Sequence, residues 1–509
     1  MHLDRDVCYR ALLTRDARFD GQFFTCVRTT GIYCRPICPA RPPKLENVVF
    51  MPSAAAAQEA GYRPCLRCRP ETSPDIGAWH GTSSTVSRAM GLIAAGALDE
   101  AGVDALAGRL GMGERQLRRL FQKHIGASPN SVAQTRRVLF AKQLLTDTQL
   151  PMADVALASG FGSLRRFNDT IRTLYGRPPR SLRRAGAATA APDSAITLTL
   201  PYKPPYDWPG IIGFLAARAI PGVEQVEPGL YARTIALGEA HGTSAVRPAS
   251  RAHALVATIR FPVITALPVI VERIRRLFDL RADPTIIAAH LSEDPHLARL
   301  VAARPGLRVP GAWDGFELAV RGILGQQITV HAATRLAGKL VAAFGAPLST
   351  VGAPGLHNVF PAPERLAGAN LAATLGMPGA RAASIVSLAA AAANPLLFEP
   401  NQGLEESVSL LRALPGIGEW TAQYIAMRAL REPDAFPAAD IGLLRALATA
   451  AGRPTPAQLL ARAESWRPWR AYAALHLWTA DASVPPKEPS HDLPTRPPAL
   501  PDRRNAARL

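Results

Sequence analysis

The chain has 509 residues, a net charge of +18 and six cysteines, all of them before residue 69. This length predicts several domains. The positive charge is concentrated in residues 1–184, which carry 27 Lys and Arg against 15 Asp and Glu, a balance typical of nucleic-acid binding. No uninterrupted apolar run reaches about 18 residues, and the first residues lack the apolar core of a signal peptide. We therefore expect a cytoplasmic, nucleoid-associated protein rather than a membrane or secreted one.

Four of the cysteines form two close pairs near the start of the chain, namely Cys34 with Cys38 and Cys65 with Cys68. Two pairs about 27 positions apart are typical of a tetrahedral zinc site, with each pair on its own turn. On spacing alone, the zinc could serve only to hold the fold. The other two cysteines are expected in the core: Cys8 and Cys26.

The residues around both pairs indicate more than a structural zinc. Residues 29–38 (TTGIYCRPIC) and 61–68 (GYRPCLRC) each contain an Arg-Pro word and resemble the N-terminal domain of the Ada family of DNA methylphosphotriester sensors. The resemblance implies a zinc domain over residues 1–78 in which all four cysteines hold one structural and thiolate-activating Zn²⁺. It also implies that Cys34 accepts a methyl group from a DNA phosphotriester. Four thiolates on Zn²⁺ carry a net charge of about −2, so methylation of Cys34 would weaken the repulsion of DNA.

Residues 80–184 contain an internal repeat of about fifty residues. In each copy a small residue, a turn glycine (Gly111 or Gly160) and a later apolar anchor predict a helix-turn-helix. A long helix over residues 132–145 would join the two units, and a helical bundle with solvated arginines is the alternative. The doubled unit resembles the AraC family, which implies promoter DNA and RNA polymerase as partners. Its recognition helices would present four DNA-binding arginines: Arg115, Arg118, Arg165 and Arg166.

Residues 196–310, behind a flexible alanine-rich linker at 185–195, have the composition of an α+β domain. Strands are predicted over 196–200, 231–237 and 254–261, and an amphipathic helix over 264–280. Residues 204–208 (PPYDW) and 213–219 (GFLAARA) resemble the N-terminal domain of the AlkA family of DNA-3-methyladenine glycosylases. The resemblance implies that Phe214 faces a base pocket, while core packing is the alternative for a single phenylalanine.

Residues 311–482 are predicted to be almost entirely helical, beginning with a helix over 315–328. Pro415 and Gly416 would end one helix, and Gly418 would let a DNA backbone approach the N-terminus of the next. Such amides form a seat for phosphate oxygens, to which a monovalent cation on the hairpin carbonyls could contribute. This helix-hairpin-helix word also occurs in polymerases, ligases and helicases. Together with the preceding domain, however, the region resembles AlkA in order and spacing.

Asp440 follows the hairpin and, judged locally, could simply cap the next helix. The AlkA resemblance implies that it is the catalytic aspartate, either activating water or stabilising the sugar cation. Trp420 and Tyr424, four positions apart on one helix, and Trp478 would form an aromatic pocket for a cationic alkylated purine. Core packing is the alternative for these rings. Related lyases carry a Schiff-base lysine where this chain has Trp420, so base excision without strand cleavage is expected.

Three further features complete the expectation. No cysteine follows Cys68, so the alkylguanine methyltransferase that commonly continues Ada proteins is missing. Glu419 replaces a basic residue often found beside the hairpin, and residues 483–509 are predicted to be a disordered tail.

We expect a monomeric, multidomain, mainly α protein with α+β parts. It would act on double-stranded, alkylated and promoter DNA in alkylation repair and its regulation. The alternative is a transcription regulator whose C-terminal half only binds DNA.

Overall fold

The computed structural model describes residues 4–73, 84–183, 195–250, 252–348, 354–398, 403–450 and 452–482. The predicted linker, apart from its last residue, and the predicted C-terminal tail lie outside the described residues. Within the described part of the chain, no helix is long and apolar enough to cross a membrane.

The first 73 residues form a small four-stranded sheet, in the order β3-β1-β2-β4, with two helices. Its elements are α1 Arg5–Thr14, β1 Phe24–Val27, β2 Ile32–Cys34, β3 Val48–Met51, α2 Ala54–Glu59 and β4 Arg63–Pro64. Strands β2 and β4 are parallel and pair Tyr33 with Pro64. This register brings the next residues of each strand, Cys34 and Cys65, to the same edge of the sheet. The two remaining cysteines are buried, as predicted: Cys8 and Cys26.

Residues 84–183 form two helix-turn-helix units, which confirms the predicted doubling. The helices are α3 Ser84–Ala94, α4 Ala97–Glu100, α5 Val103–Arg109, α6 Glu114–Ile125, α7 Pro129–Asp147, α8 Met152–Ala158 and α9 Leu164–Tyr175. The turns before α6 and α9 contain Gly111 and Gly160 at φ +68° and +84°, a conformation that favours glycine. Helix α7 joins the units and is longer than the predicted 132–145.

Residues 195–303 form a five-stranded antiparallel sheet, in the order β5-β9-β8-β7-β6, with four helices. The elements are β5 Ile196–Pro201, α10 Trp208–Ala216, β6 Glu224–Glu227, β7 Leu230–Leu237, β8 Ala240–Pro248, β9 Ala254–Arg260, α11 Leu267–Leu277, α12 Pro284–Leu291 and α13 Pro295–Ala303. The three predicted strands are confirmed. Strands β6 and β8 were missed because their sequences, EQVE and AHGTSAVRP, are polar and are ordered by pairing with β7.

In the remaining described residues the regular elements are helices and a short ribbon of β10 Ala346–Pro347 and β11 Asn358–Val359. The helices are α14 Gly315–Leu324, α15 Val330–Phe344, α16 Pro363–Leu366, α17 Leu371–Leu375, α18 Gly379–Ala391, α19 Leu404–Arg412, α20 Glu419–Arg428, α21 Ile441–Ala446, α22 Pro456–Ala463 and α23 Arg470–Ala482. The predicted helix over 315–328 ends early because Gln327 adopts a left-handed φ of +59°.

The hydrophobic cores do not follow the predicted domain divisions. The second helix-turn-helix unit shares one core with the sheet of β5–β9, with Phe167 and Leu198 among its members. The first unit shares another core with α2 of the cysteine-containing domain, including Ala56 and Phe121. Helix α7 contributes to both cores, so the N-terminal half packs directly on the α+β domain.

Candidate functional sites

The four paired cysteines come together at the edge of the N-terminal sheet. Their Sγ atoms all lie within 4.8 Å of one another. Zinc–sulfur bonds of about 2.3 Å in a tetrahedron place sulfurs about 3.8 Å apart, so this all-thiol donor set fits Zn²⁺. The predicted zinc site at Cys34, Cys38, Cys65 and Cys68 is therefore supported by a compact ligand cluster.

The four sulfurs have different surroundings. Cys38 and Cys68 are buried, whereas Cys34 and Cys65 are partly exposed. The backbone N–H of Arg35 donates to Cys68 Sγ (3.3 Å), and that of Arg67 donates to Cys65 Sγ (3.4 Å). In the described part of the chain, no backbone N–H donates to Cys34 Sγ. Cys34 thus combines access from outside with a sulfur that no amide partly neutralises.

Arg35, from the first Arg-Pro word, fixes the cluster to the rest of its domain. Its guanidinium forms an ion pair with the buried carboxylate of Asp20. It also donates from Nη1 to Thr72 Oγ1 (2.7 Å) and to the Cys68 carbonyl (3.2 Å). The conspicuous Arg-Pro word therefore has a structural explanation that spacing alone could not supply.

The recognition helices α6 and α9 bury one apolar face each and expose the four predicted arginines. Arg118 donates from Nε to Glu114 on the same helix (2.8 Å), and the side chain of Arg165 is 92% exposed. Arg115 and Arg166 are exposed as well. These positions are accessible to a DNA groove, which is the condition that the prediction requires.

The hairpin between α19 and α20 places different demands on its two glycines. Gly416 has φ +79°, and a Cβ there would lie 1.9 Å from Ser384 Oγ. Gly418 has an ordinary φ of −83° as the N-cap of α20, and no atom lies within 4 Å of the Cβ position. The fold therefore requires glycine at 416, whereas the open space at 418 is available to a ligand.

Two polar contacts surround the hairpin. Gln326 Nε2 donates to the Gly416 carbonyl (2.8 Å) and to Thr421 Oγ1 (3.1 Å), which ties the loop after α14 to the turn. Glu419, the acidic departure noted above, forms an ion pair with Arg412 (3.0 Å). The exposed Glu419 carboxylate at the start of α20 is thus paired with a guanidinium.

Asp440 is both a helix cap and the common hydrogen-bond acceptor of two tryptophan side chains. Its Oδ1 accepts hydrogen bonds from the Leu443 backbone N–H (3.1 Å) and from Trp478 Nε1 (2.8 Å). Its Oδ2 accepts one from Trp420 Nε1 (2.8 Å). Three donors from α20, α21 and α23 thus hold the carboxylate in one orientation. The two indole bonds span 20 and 38 positions, so local sequence could not reveal them.

The aromatic residues predicted for the pocket lie together around Asp440. The rings of Trp420 and Tyr424 are stacked, with centroids 5.3 Å apart and an interplanar angle of 8°. Trp478 meets Tyr424 edge-on at 6.5 Å. All three are partly exposed, so they form a wall rather than a closed core.

Phe214 packs against two arginines that were not predicted from the sequence, and one of them also contacts the aromatic wall. The guanidinium carbons of Arg218 and Arg428 lie 3.8 and 4.7 Å from the Phe214 ring centroid. Arg428 Nη1 also donates to the Tyr424 hydroxyl (2.6 Å). Burial raises the pKa of Tyr424, but the charges of Arg428 and Arg218 outweigh it and leave the pKa below its ordinary value.

A buried charge network fastens the α+β sheet to α14 behind this wall. Arg321 and Arg233 both pair with Glu317, at 2.6 and 2.7 Å, and Arg321 also pairs with Glu224 on β6. Burial opposes ionisation of Glu224, yet the two guanidiniums outweigh it and lower its pKa to about 2. The network fixes β6 and β7 of the sheet against α14 of the helical domain.

Four family models match the chain in succession. They are the metal binding domain of Ada (residues 7–71), a helix-turn-helix domain (106–185), the AlkA N-terminal domain (197–314) and the HhH-GPD superfamily of base excision DNA repair proteins (320–471).

Curated relatives repeat the same arrangement. The DNA-3-methyladenine glycosylase 2 of Escherichia coli K12 is 38% identical over 56% of this chain and 98% of its own. The bifunctional transcriptional activator/DNA repair enzyme Ada of the same organism is 32% identical over 36% of this chain and 50% of its own. The probable bifunctional transcriptional activator/DNA repair enzyme AlkA of Mycobacterium tuberculosis H37Rv is 44% identical over 94% of this chain and 97% of its own. On that similarity across nearly the whole of both chains, the protein belongs to the family of bifunctional transcriptional activator/DNA repair enzymes that join an Ada-type half to an AlkA-type half.

Proposed function

We propose that the protein excises alkylated purines such as 3-methyladenine from double-stranded DNA by hydrolysis, and that its N-terminal half senses DNA methylation and regulates transcription. The observation that carries the first part is the partly exposed Asp440 carboxylate held between two indole N–H groups of the aromatic wall. A helical half that served only to bind DNA would have no need for a carboxylate fixed at that point.

The partly exposed aromatic wall beside Asp440 suits a nucleotide that has been flipped out of the duplex. A cationic alkylpurine would rest against Trp420, Tyr424 and Trp478, each contact contributing about 0.5–2 kcal/mol. The bond between sugar and base then breaks with its electron pair leaving on the base, and water adds to the sugar. We assign Asp440 to electrostatic stabilisation of the sugar cation. Its three hydrogen-bond donors fix the carboxylate in one orientation, so that it is preorganised to stabilise positive charge on the sugar.

The Asp440→Asn variant tests this assignment. It keeps the helix cap and removes the charge, so single-turnover release of 3-methyladenine from alkylated duplex should fall at least about 100-fold. Glu364→Gln, which removes an exposed carboxylate on α16, is the matched control and should behave like the parent. Release by Asp440→Asn at the parental rate would show that the site is not catalytic.

The sensor reaction would take place at Cys34. When bound, Zn²⁺ would keep all four cysteine sulfurs as thiolates at neutral pH. Cys34 Sγ would attack the methyl carbon of a phosphotriester, and the methyl–oxygen bond would break to leave a phosphodiester anion. The support is that Cys34 is partly exposed and accepts no backbone N–H in the described part of the chain. Loss of one negative charge would then raise affinity for promoter DNA.

Mass spectrometry of the peptide that contains Cys34 tests the transfer. After incubation with DNA carrying methylphosphotriesters, the peptide should gain one methyl group, whereas the peptide of buried Cys26 should stay unmodified. An unmodified Cys34 peptide would rule the sensor reaction out.

The proposal also includes the remaining contacts. Promoter DNA would be bound by Arg115, Arg118, Arg165 and Arg166. The protein, a cytoplasmic monomer, would recruit RNA polymerase to that DNA. Gly416 and Gly418 would bind a phosphate of lesion DNA, with a monovalent cation on the hairpin carbonyls. Replacing an arginine that contacts phosphate should reduce the salt dependence of promoter binding by about one charge.

A further inference from the structure

Gln423 on α20 holds the start of the segment that leads to Asp440. It follows Trp420 by three positions, so the two side chains lie on the same side of the helix. Its side-chain oxygen, Oε1, accepts a hydrogen bond from the backbone N–H of Phe436 (3.0 Å). Phe436 is buried, so its N–H requires an acceptor within the protein. Gln423 supplies that acceptor from 13 positions away.

The segment from Phe436 to Asp440 is short and is held at both ends by α20. Within it, the N–H of Asp440 donates to the Pro437 carbonyl (2.9 Å). At its far end, Trp420 Nε1 donates to the Asp440 carboxylate (2.8 Å). Gln423 thus holds the backbone where the segment begins, and Trp420 holds the carboxylate where it ends.

The amide of Gln423 can hold Phe436 in only one of its two orientations. A backbone N–H must meet the amide oxygen, because the NH₂ group in that place would set donor against donor. The other end of the amide is fixed by Glu419, whose Oε1 accepts from Gln423 Nε2 (2.9 Å). The second carboxylate oxygen, Glu419 Oε2, pairs with Arg412 Nη1 (3.0 Å). Glu419 therefore selects the orientation in which Gln423 can accept from Phe436.

This contact explains the acidic residue that stands beside the hairpin in place of a basic one. Lysine and arginine side chains carry donors and no acceptor. At position 419 either would attract the amide oxygen of Gln423 and turn its NH₂ group toward the Phe436 N–H. A carboxylate at this position opposes the binding of phosphate. In return, it orients the side chain that holds the Asp440 segment.

We propose that Gln423 is a positioning residue for base excision and that Glu419 sets the orientation of its amide. The inference rests on the proposed glycosylase function and concerns how this chain places Asp440 for that reaction. Gln423 acts through the backbone of Phe436 rather than by touching the base. Displacement of a catalytic group by about 1 Å can lower a rate about 100-fold, so loss of this contact should slow the chemical step.

Charge reversal at position 419 in the full-length protein separates positioning from DNA affinity. In Glu419→Arg, affinity for an undamaged duplex, measured by fluorescence anisotropy, should rise because a negative charge beside the hairpin becomes positive. The single-turnover rate of 3-methyladenine release at saturating protein should nevertheless fall at least about tenfold, equivalent to about 1.4 kcal/mol. Glu419→Gln keeps an acceptor for Gln423 and should recover most of the parental rate. Glu364→Arg, the same charge change at an exposed position on α16, is the control and should keep that rate.

A double-variant cycle tests whether Glu419 acts through Gln423. Gln423→Leu removes the acceptor for the Phe436 N–H and should lower the release rate by itself. Addition of Glu419→Arg to Gln423→Leu should then lower the rate no further, because the amide that Glu419 orients is already absent.

The outcomes separate the inference from the function on which it rests. If the parent releases 3-methyladenine and Glu419→Arg does so at the parental rate, the inference is wrong and the glycosylase function stands. The same holds if the losses in the two single variants multiply in the double variant. Slower release that occurs only with a lower urea midpoint also overturns the inference, since Glu419 would then support the fold. If the parent releases no 3-methyladenine, the proposed function fails and the inference fails with it.

Discussion

The two hairpin glycines allow a sharp test of which residues serve the fold and which serve DNA binding. Gly416→Ala introduces a Cβ at φ +79° and 1.9 Å from Ser384 Oγ. A left-handed conformation costs a non-glycine residue about 1–2 kcal/mol, and overpacking in a tight site costs about 1–3 kcal/mol. Alanine also stabilises by restricting the unfolded chain, worth about 0.4–1 kcal/mol. The net expectation for Gly416→Ala is a loss of about 2–4 kcal/mol.

Gly418→Ala is the matched comparison. Its φ of −83° suits alanine, and no atom lies within 4 Å of the new Cβ. Alanine is a poorer N-cap than glycine by up to about 1 kcal/mol, which the same restriction of the unfolded chain roughly cancels. Its stability should therefore be close to that of the parent. Affinity for duplex DNA should nevertheless fall, because the methyl group occupies the space left for the backbone.

Urea unfolding followed by tryptophan fluorescence measures both variants, since four of the seven tryptophans lie beyond residue 404 in the helical domain. Fluorescence anisotropy with a short duplex measures DNA affinity. The double variant Gly416→Ala, Ser384→Gly should recover the steric part of the loss but not the conformational part. An unchanged urea midpoint for Gly416→Ala, or a loss above about 2 kcal/mol for Gly418→Ala, would refute this reasoning.

Three further predictions follow from other parts of the molecule. Trp478→Phe keeps an aromatic ring but removes one charge-assisted hydrogen bond to Asp440. The rate of 3-methyladenine excision should therefore fall about 10- to 100-fold, with little change in the urea midpoint. A parental rate would show that the indole N–H does not position the carboxylate. Burial, together with the nearby Glu405 and Asp434 carboxylates and despite the charge of Arg88, raises the pKa of Glu432 to about 7. Because the pKa of Glu432 is higher in the folded state than in the unfolded state, the free energy of unfolding should decrease by roughly 3 kcal/mol as pH rises from about 4.5 to 7. Glu432→Gln should remove this pH dependence from urea midpoints measured at pH 5 and 8. An equal pH dependence in the parent and the variant would contradict the raised pKa of Glu432. Removal of zinc by a chelator should abolish promoter binding while excision continues. The reason is that α2 shares its hydrophobic core with the first helix-turn-helix unit and not with the aromatic wall around Asp440. Loss of both activities together would show that the two halves unfold as one.

The shared cores bear on how the two halves are connected. Gln143 on α7 donates to the Thr199 carbonyl of β5 (2.7 Å), and Asp147 accepts from the Thr199 N–H (3.3 Å). Asp147 also pairs with Arg69, the residue after Cys68 (3.2 Å). A polar junction thus runs from the cysteine cluster through α7 to the sheet of the α+β domain, in addition to the covalent linker.

Sequence alone determined the motifs that carry the candidate functional residues and the helices and strands with strong hydrophobic periodicity. The cysteine spacing predicted a four-sulfur cluster, the fifty-residue repeat predicted two helix-turn-helix units, and proline and glycine marked the hairpin. These features are visible in the chain itself, as a spacing of about 27 positions between the cysteine pairs, a repeat of about fifty residues and a local proline–glycine turn. The polar strands β6 and β8 were not predicted, because they are held by pairing with neighbouring strands of the sheet rather than by the strand propensity of their own residues.

Tertiary structure alone decided how the sites are assembled. It joined Trp420 and Trp478 to Asp440, placed Arg218 and Arg428 against Phe214, and let one core span two predicted domains. Hydrogen bonds and ion pairs between residues tens of positions apart leave no periodic signal in a sequence, because their partners are chosen by the packing of whole elements. For the same reason the aromatic residues of the wall could be predicted, but its contacts with Arg218 and Arg428 could not.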